Sequence, residues 1–191
     1  MTNTYDSLRE TQWTNELLEL LLCEPTPQSY LEQVLGKLVR WTGCRAIGIR
    51  VLRADGSLPY EVHVGFGHEF WQSENHISVC TDNCACTRVI TGRPEAQDLP
   101  VMTLAGSFHC SDMERFASRL TPDELARFRG KCIAAGFKTV TVVPIRHEGQ
   151  AVGVIHLADP EPDKLPPRMV DFLESVAPLI GEAYTGLLWK E

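Results

Sequence analysis

No apolar run in the 191 residues approaches the roughly 20 needed to cross a bilayer. The opening residues, MTNTYDSLRETQW, lack the basic-then-apolar order of an export signal. Neither membrane spanning nor secretion is indicated, and a cytoplasmic location is expected. Positive charge is scarce as well: 18 Lys and Arg stand against 25 Asp and Glu, a formal net charge of -7. Without a basic stretch to neutralise phosphates, binding to nucleic acid or anionic lipid is not expected. No internal repeat, low-complexity tract, phosphate loop or Gly-rich dinucleotide fingerprint occurs, so the common nucleotide-binding α/β architectures have no support. A C-x-x-C-H haem attachment motif is missing too.

Cysteine, by contrast, is plentiful. There are seven, an odd number that leaves at least one unpaired, and in a reducing compartment a stable disulfide framework is a poor explanation for them. Cys80, Cys84 and Cys86 stand within seven residues, among Thr, Asp and Asn, in a segment with no apolar period that would bury them. Such clustering points to metal ligation or redox chemistry. Cys23 and Cys44, at a helix end and a strand start, are expected to pack as small hydrophobes.

The apolar period places these residues. Ser7 and Glu10 form a possible capping box before Trp13, Leu17, Leu20 and Leu21, which predicts a helix over residues 8 to 22. Thr26 and Pro27 then open a second helix with the stripe Leu31, Val34, Leu35, Leu38 and a stop at Gly43. Ile47, Ile49 and Val51 alternate, ADGS supplies turn chemistry and YEVHVGF alternates again, a hairpin pattern. Residues 73 to 120 have no sustained period and read as a functional loop region. Thr121, Pro122 and Glu124 start a helix through Leu125, Phe128 and Ile133 to Gly136, with Cys132 in its last turn. TVTVVPI and AVGVIHLAD, joined by RHEGQ, form a second, more central hairpin. A last helix over 168 to 189 carries Met169, Phe172, Leu173, Val176, Ile180, Ala183, Tyr184 and Leu187, with a kink expected at Pro178. One α+β domain over 1–191 is expected, with a core over about 26–160 built on an antiparallel sheet.

With these residues in view, the chain resembles a GAF domain over roughly residues 8 to 188, most clearly in VPIRHEGQAVGVIHL. The resemblance implies a central antiparallel sheet with the N- and C-terminal helices on one face and a pocket covered by loops and a helix on the other. A narrower likeness rests on C-x3-C-x-C at Cys80, Cys84 and Cys86, GSF at 106 to 108, R-x-x-C at Arg129 and Cys132, and GFKTVTVVPIR. It is to the cysteine-rich GAF input domains of bacterial and archaeal sensor histidine kinases, and it implies redox or gas sensing. It also implies a signalling partner such as a histidine kinase, and a homodimer formed through the terminal helices.

If the helix bearing Cys132 folds back over the loop, Cys80, Cys84, Cys86 and Cys132 form a four-thiolate set, with Cys110 or His109 as a fifth candidate. Compact clusters of this kind suit an iron-sulfur centre first, zinc second and haem third. His63, His147 and His156 are expected to be core or surface residues. Two other functions stay open. The chain also resembles the free methionine-R-sulfoxide reductases, in which Cys110 would attack the sulfoxide and Cys80 or Cys86 would resolve. A GAF pocket for a small organic ligand, with the cysteines incidental, is the other.

Overall fold

The computed structural model describes residues 2–23 and 26–188. The side chain of Leu21, expected in the first apolar stripe, and Trp189, the expected end of the last helix, lie outside what is described. Five strands form one antiparallel sheet: β1 (Ala46–Val51), β2 (Tyr60–Val64), β3 (Phe108–Cys110), β4 (Thr139–His147) and β5 (Gln150–Asp159), in the order β2-β1-β5-β4-β3. The Val- and Ile-rich pair β4 and β5 lies inside the sheet, as its composition predicts.

Both faces of the sheet are covered, and alternation along the strands divides the core in two. Ile47, Ile49, Val143, Ile145, Ile155 and Leu157 meet α2 (Pro27–Thr42) and α8 (Pro167–Leu188), whose stripes include Leu31, Val34, Leu38, Leu173, Val176 and Ile180. Burying each such side chain contributes about 1.5–3 kcal/mol, so packing outweighs the few tenths that helix propensity adds per residue. Ala46, Val140, Val142, Val154 and Ala158 point the other way, into a second cluster with Phe70, Cys86, Phe108, Met113 and Phe137.

Local signals set the ends of α2 as expected. Thr26 accepts a hydrogen bond from the Ser29 N–H at 3.2 Å, Pro27 takes the first helical position, and Gly43 closes the helix at φ 61° with its N–H on the Val39 carbonyl. The first helix, α1 (Thr2–Cys23), starts earlier than its capping box predicts: Ser7 lies inside it and its carbonyl accepts from Thr11. α1 packs through Trp13 and Leu17, and Trp13 stacks on Trp41 with ring centroids 5.2 Å apart. Cys44 is buried as expected, but Cys23 is exposed at the end of α1, where no second layer covers it.

The middle of the chain is more ordered than its lack of period suggests. It holds α3 (His68–Glu74), α4 (Ala85–Thr91), a 3-10 turn over Leu99–Val101, the edge strand β3 and α5 (Met113–Ala117). Each is too short to show a period. The single helix expected from 121 to 136 is instead two turns, α6 (Pro122–Leu125) and α7 (Lys131–Ala134), separated where Gly130 adopts φ 68°. The expected capping box of Thr121 and Glu124 forms, but it caps only the first of them.

Helix α8 approaches the sheet at backbone distance. A Cβ on Gly181 would sit 2.2 Å from the Arg146 carbonyl oxygen, whereas one on Gly186 would meet nothing within 4 Å. Gly181→Ala should therefore destabilise the fold by about 1–3 kcal/mol through overpacking, and Gly186→Ala should stabilise it by up to about 1 kcal/mol through helix propensity. Urea unfolding of the two variants checks the pair; equal effects would contradict this packing.

Candidate functional site

Three elements bring the site together on the sheet face opposite α2 and α8. Cys84 occupies the N-cap of α4, where its own N–H reaches the Thr87 hydroxyl at 3.0 Å and its sulfur takes the Thr87 N–H in a capping box. Cys86, two residues on, is buried beneath it. Cys132 comes from α7 and His156 from β5. These four line one cavity of about 40 Å3, walled otherwise mainly by apolar side chains such as Phe108, Phe128 and Val142. A space that size holds a few waters at most.

Electrostatics distinguish the three thiols. A hydrogen bond from Cys86 holds the Cys84 thiol below the ordinary thiol range against the effect of burial, helped by the N–H and hydroxyl of Thr87 and by the charge of Arg50. Cys86 moves the opposite way, well above that range, because it shares its hydrogen with Cys84 and is buried. Burial pushes Cys132 up to about 12. Cys84 is therefore the thiolate of the group and the other two stay protonated.

Arg50, on β1, supplies the nearby positive charge. It is 0% exposed, donates to the Leu58 carbonyl at 2.6 Å and the Glu74 carbonyl at 2.9 Å, and lies over the Tyr60 ring at 3.6 Å. No carboxylate pairs with it among the described residues. The Glu74 carboxylate binds Arg129 instead, at 3.0 Å, and Arg129 also reaches Asp82 and the Ser73 carbonyl. Arg129 thus fastens the segment before Cys132 to the segments on either side of the cavity. Arg88 reinforces it by donating to the Arg127 carbonyl while paired with Asp98.

The four-thiolate centre expected from Cys80, Cys84, Cys86 and Cys132 is not assembled. Three of the four thiols share the cavity, but Cys80 is exposed in a turn, its sulfur close against Gly56. Among the described residues no group of three or more His, Cys, Asp or Glu side chains is placed to hold a metal ion. The donor types suit a soft metal; their placement does not, so no step below runs through an iron-sulfur cluster, zinc or haem. The fifth candidates are elsewhere. Cys110 is buried on β3 opposite Val140, its thiol pushed up to about 11 by burial, and His109 holds Thr141 at 2.8 Å. Both line a separate groove.

His156 is the participant that periodicity assigned to the core. It is indeed 1% exposed, but its Nε2 lies 3.8 Å from Cys132 Sγ and its Nδ1 lies 2.7 Å from the Tyr60 hydroxyl. His63 is exposed on β2, and His147 pairs with Glu182 at 2.9 Å.

Sheet, helical layer and cavity together define an α+β fold with a pocket on the sheet face opposite α2 and α8. A family model described as GAF domain matches residues 24–184, and the chain belongs to the GAF family. The structure is similar to the GAF domain of an Acinetobacter phosphoenolpyruvate-protein phosphotransferase, with TM-score 0.68, 9% identity, and coverage of 95% of this chain and 96% of that one. It is similar to the free methionine-R-sulfoxide reductase of Neisseria meningitidis in complex with its substrate, with TM-score 0.68, 12% identity, and coverage of 95% and 92%. A domain assigned to a two-component sensor histidine kinase of Sinorhizobium meliloti 1021 gives TM-score 0.59 at 11% identity, covering 84% and 91%. At these identities the likeness establishes the fold. No curated protein sequence matches significantly.

Burial and the Arg50 charge hold the His156 imidazole neutral, its pKa lowered to about 3. In the unfolded chain it titrates near 6.5, so between about pH 6.5 and 3 the unfolded state binds a proton that the folded state refuses. Stability should fall with acidification across that window, by up to about 1.4 kcal/mol per pH unit from this residue. Urea titrations of wild type and His156→Gln at pH 7, 6 and 5 should show a shallower slope in the variant; identical slopes would contradict a neutral buried imidazole.

Proposed function

We propose that this GAF domain is a regulatory module whose signal is the oxidation state of the Cys84, Cys86 and Cys132 thiols. The observation that carries this is the convergence of one thiolate and two protonated thiols on a single small cavity beside a cation that pairs with no carboxylate among the described residues. A thiolate is the reactive form of cysteine, and a confined cavity admits only a small oxidant.

A hydroperoxide is the matching oxidant. The Cys84 thiolate attacks the O–O bond; a sulfur-oxygen bond forms, the O–O bond breaks, and the departing alkoxide takes a proton to leave as alcohol, or as water from hydrogen peroxide. Cys84 is then a sulfenic acid, oxidised by two electrons. A neighbouring thiol, Cys86 or Cys132, attacks that sulfur, its proton leaves with the hydroxyl as water, and a disulfide results. Either product changes the contacts of α4 or of the segment fastened by Arg129, and so biases a local two-state element.

Output in this reading runs through the terminal helices. α1 exposes Leu8, Leu18 and Leu22 on one side, the last at 88% exposure, a face that a second copy of the chain would cover. The partner is a signalling protein of the histidine kinase kind, by analogy with the proteins that carry similar domains. As for location, among the described residues no helix is long and apolar enough to cross a membrane. The reductase reading draws on the fold likeness, but Cys110, its expected attacking residue, lies outside the thiol cavity with a raised pKa.

Peptide-resolved mass spectrometry after stoichiometric peroxide should find Cys84 oxidised first and joined to Cys86 or Cys132. Cys84→Ser should abolish the disulfide, and Cys44→Ser should not. Sedimentation of the reduced and oxidised forms should show a concentration-dependent dimer. Iron and sulfide found in stoichiometric amounts in anaerobically purified protein, or steady turnover of methionine sulfoxide, would displace this reading with a cluster-based or an enzymatic one.

A further inference from the structure

The thiol chemistry above uses Cys84 and leaves unexplained why a fully buried imidazole faces Cys132. Its surroundings are specific. Gly48 on β1 stands between β2 and β5, opposite His156, and a Cβ there would lie 2.5 Å from the Tyr60 ring. The missing side chain lets the Tyr60 ring lie across β1, which brings its hydroxyl to His156 Nδ1 at 2.7 Å. The far nitrogen of that ring, Nε2, faces Cys132 Sγ at 3.8 Å, within reach of a hydrogen bond to sulfur. Arg50, held by two carbonyls, keeps its charge over the Tyr60 ring.

We propose that Tyr60 and His156 form a hydrogen-bond relay that fixes an imidazole N–H on Cys132 Sγ, making them the positioning residues of this thiol. The direction follows from counting donors. Among the described residues the Tyr60 hydroxyl has no acceptor other than His156 Nδ1, so its hydrogen is satisfied only by donation there. A neutral imidazole whose Nδ1 accepts carries its proton on Nε2, which points at the sulfur. The opposite tautomer strands a buried phenolic O–H, a strong donor; this one strands only the S–H of Cys132, a weak one. The guanidinium over the ring strengthens the phenol as a donor and favours negative charge on a nearby sulfur.

The relay rests on the thiol reading of the pocket for its purpose and deepens it. Cys132 is protonated and unreactive at rest. When it attacks an oxidised Cys84 sulfur, or departs as thiolate during reduction of a disulfide, charge developing on Sγ meets an N–H that is already aimed. Cys132 is thereby the resolving thiol rather than Cys86, which among the described residues has no such imidazole donor.

Long-range proton-nitrogen NMR correlation on uniformly 15N-labelled protein reads the tautomer directly: the expected result is a protonated Nε2 and an unprotonated Nδ1 at His156, with Tyr60→Phe moving the population toward the other form. Methyl methanethiosulfonate labelling of Cys132, followed by peptide mass spectrometry, should slow by about tenfold in His156→Leu, the loss of one hydrogen bond to a charged group. His156→Gln, whose amide nitrogen replaces Nε2, should stay within about threefold of wild type. A protonated Nδ1 in the wild type, or unchanged Cys132 labelling in a folded His156→Leu, overturns the relay. Should His156→Leu fail to fold, the wild-type tautomer and Tyr60→Phe decide the matter. Peroxide oxidation of wild-type Cys84 is scored separately: its failure removes the thiol reading, whereas normal oxidation with the wrong tautomer removes the relay alone.

Discussion

A guanidinium removed from solvent, with no carboxylate paired to it among the described residues, is the constraint around which this pocket is built. Removing Arg50 from solvent is expensive, and what offsets it is distributed: two carbonyls at 2.6 and 2.9 Å, the face of Tyr60, and the sulfur charge of Cys84. Each partner is fixed in turn by the fold. Leu58 belongs to the connection between β1 and β2, Glu74 closes α3, and Tyr60 lies across β1 because Gly48 has no side chain. The cation therefore ties the connection before β2 and the end of α3 to β1, beside the cavity that Cys84, Cys86, Cys132 and His156 line.

The remaining charges keep that cavity closed without neutralising Arg50. Arg129 takes both Glu74 and Asp82, and Arg88 takes Asp98, so the nearby carboxylates are committed to the guanidiniums that hold the rim. A cation left over in an apolar pocket favours whichever neighbour can become an anion. Cys84 is best placed, because Cys86 shares its hydrogen with it and the N-cap of α4 also gives it the Thr87 N–H. Charge, helix cap and sulfur chemistry thus depend on one another.

Much of the frame was legible in the sequence. Alternation in Ile47, Ile49 and Val51, the β-branched run of β4 and β5, and the cap of α2 each carry a local signal that survives folding, and the antiparallel sheet with flanking helices follows from them. The site was legible in its residue types and partly in its members: Cys84, Cys86 and Cys132 meet, as clustering and the later helix suggested. Cys80 does not join them, because its turn is anchored outward by Ser78 and Asp82 against the loop at Gly56. Arg50 and His156 could not be picked out, since each occupies an ordinary inward position of a strand and gains its role only from groups that other segments bring to it. The Tyr60 contact depends on Gly48, a residue whose importance is what it lacks. The break between α6 and α7 was hidden for a similar reason: one glycine at positive φ outweighs a good capping box.

The central claim is that Cys84 is the pocket's thiolate, held so first by the hydrogen bond from Cys86, then by Thr87, with the Arg50 charge adding to both. The most direct measurement is the iodoacetamide labelling rate of Cys84 at pH 7 in wild type, Arg50→Lys and Arg50→Met, each verified as folded by circular dichroism. The account predicts that Arg50→Met slows labelling, because one favourable charge is lost, while Arg50→Lys retains much of the wild-type rate. Equal rates in wild type and Arg50→Met would contradict it.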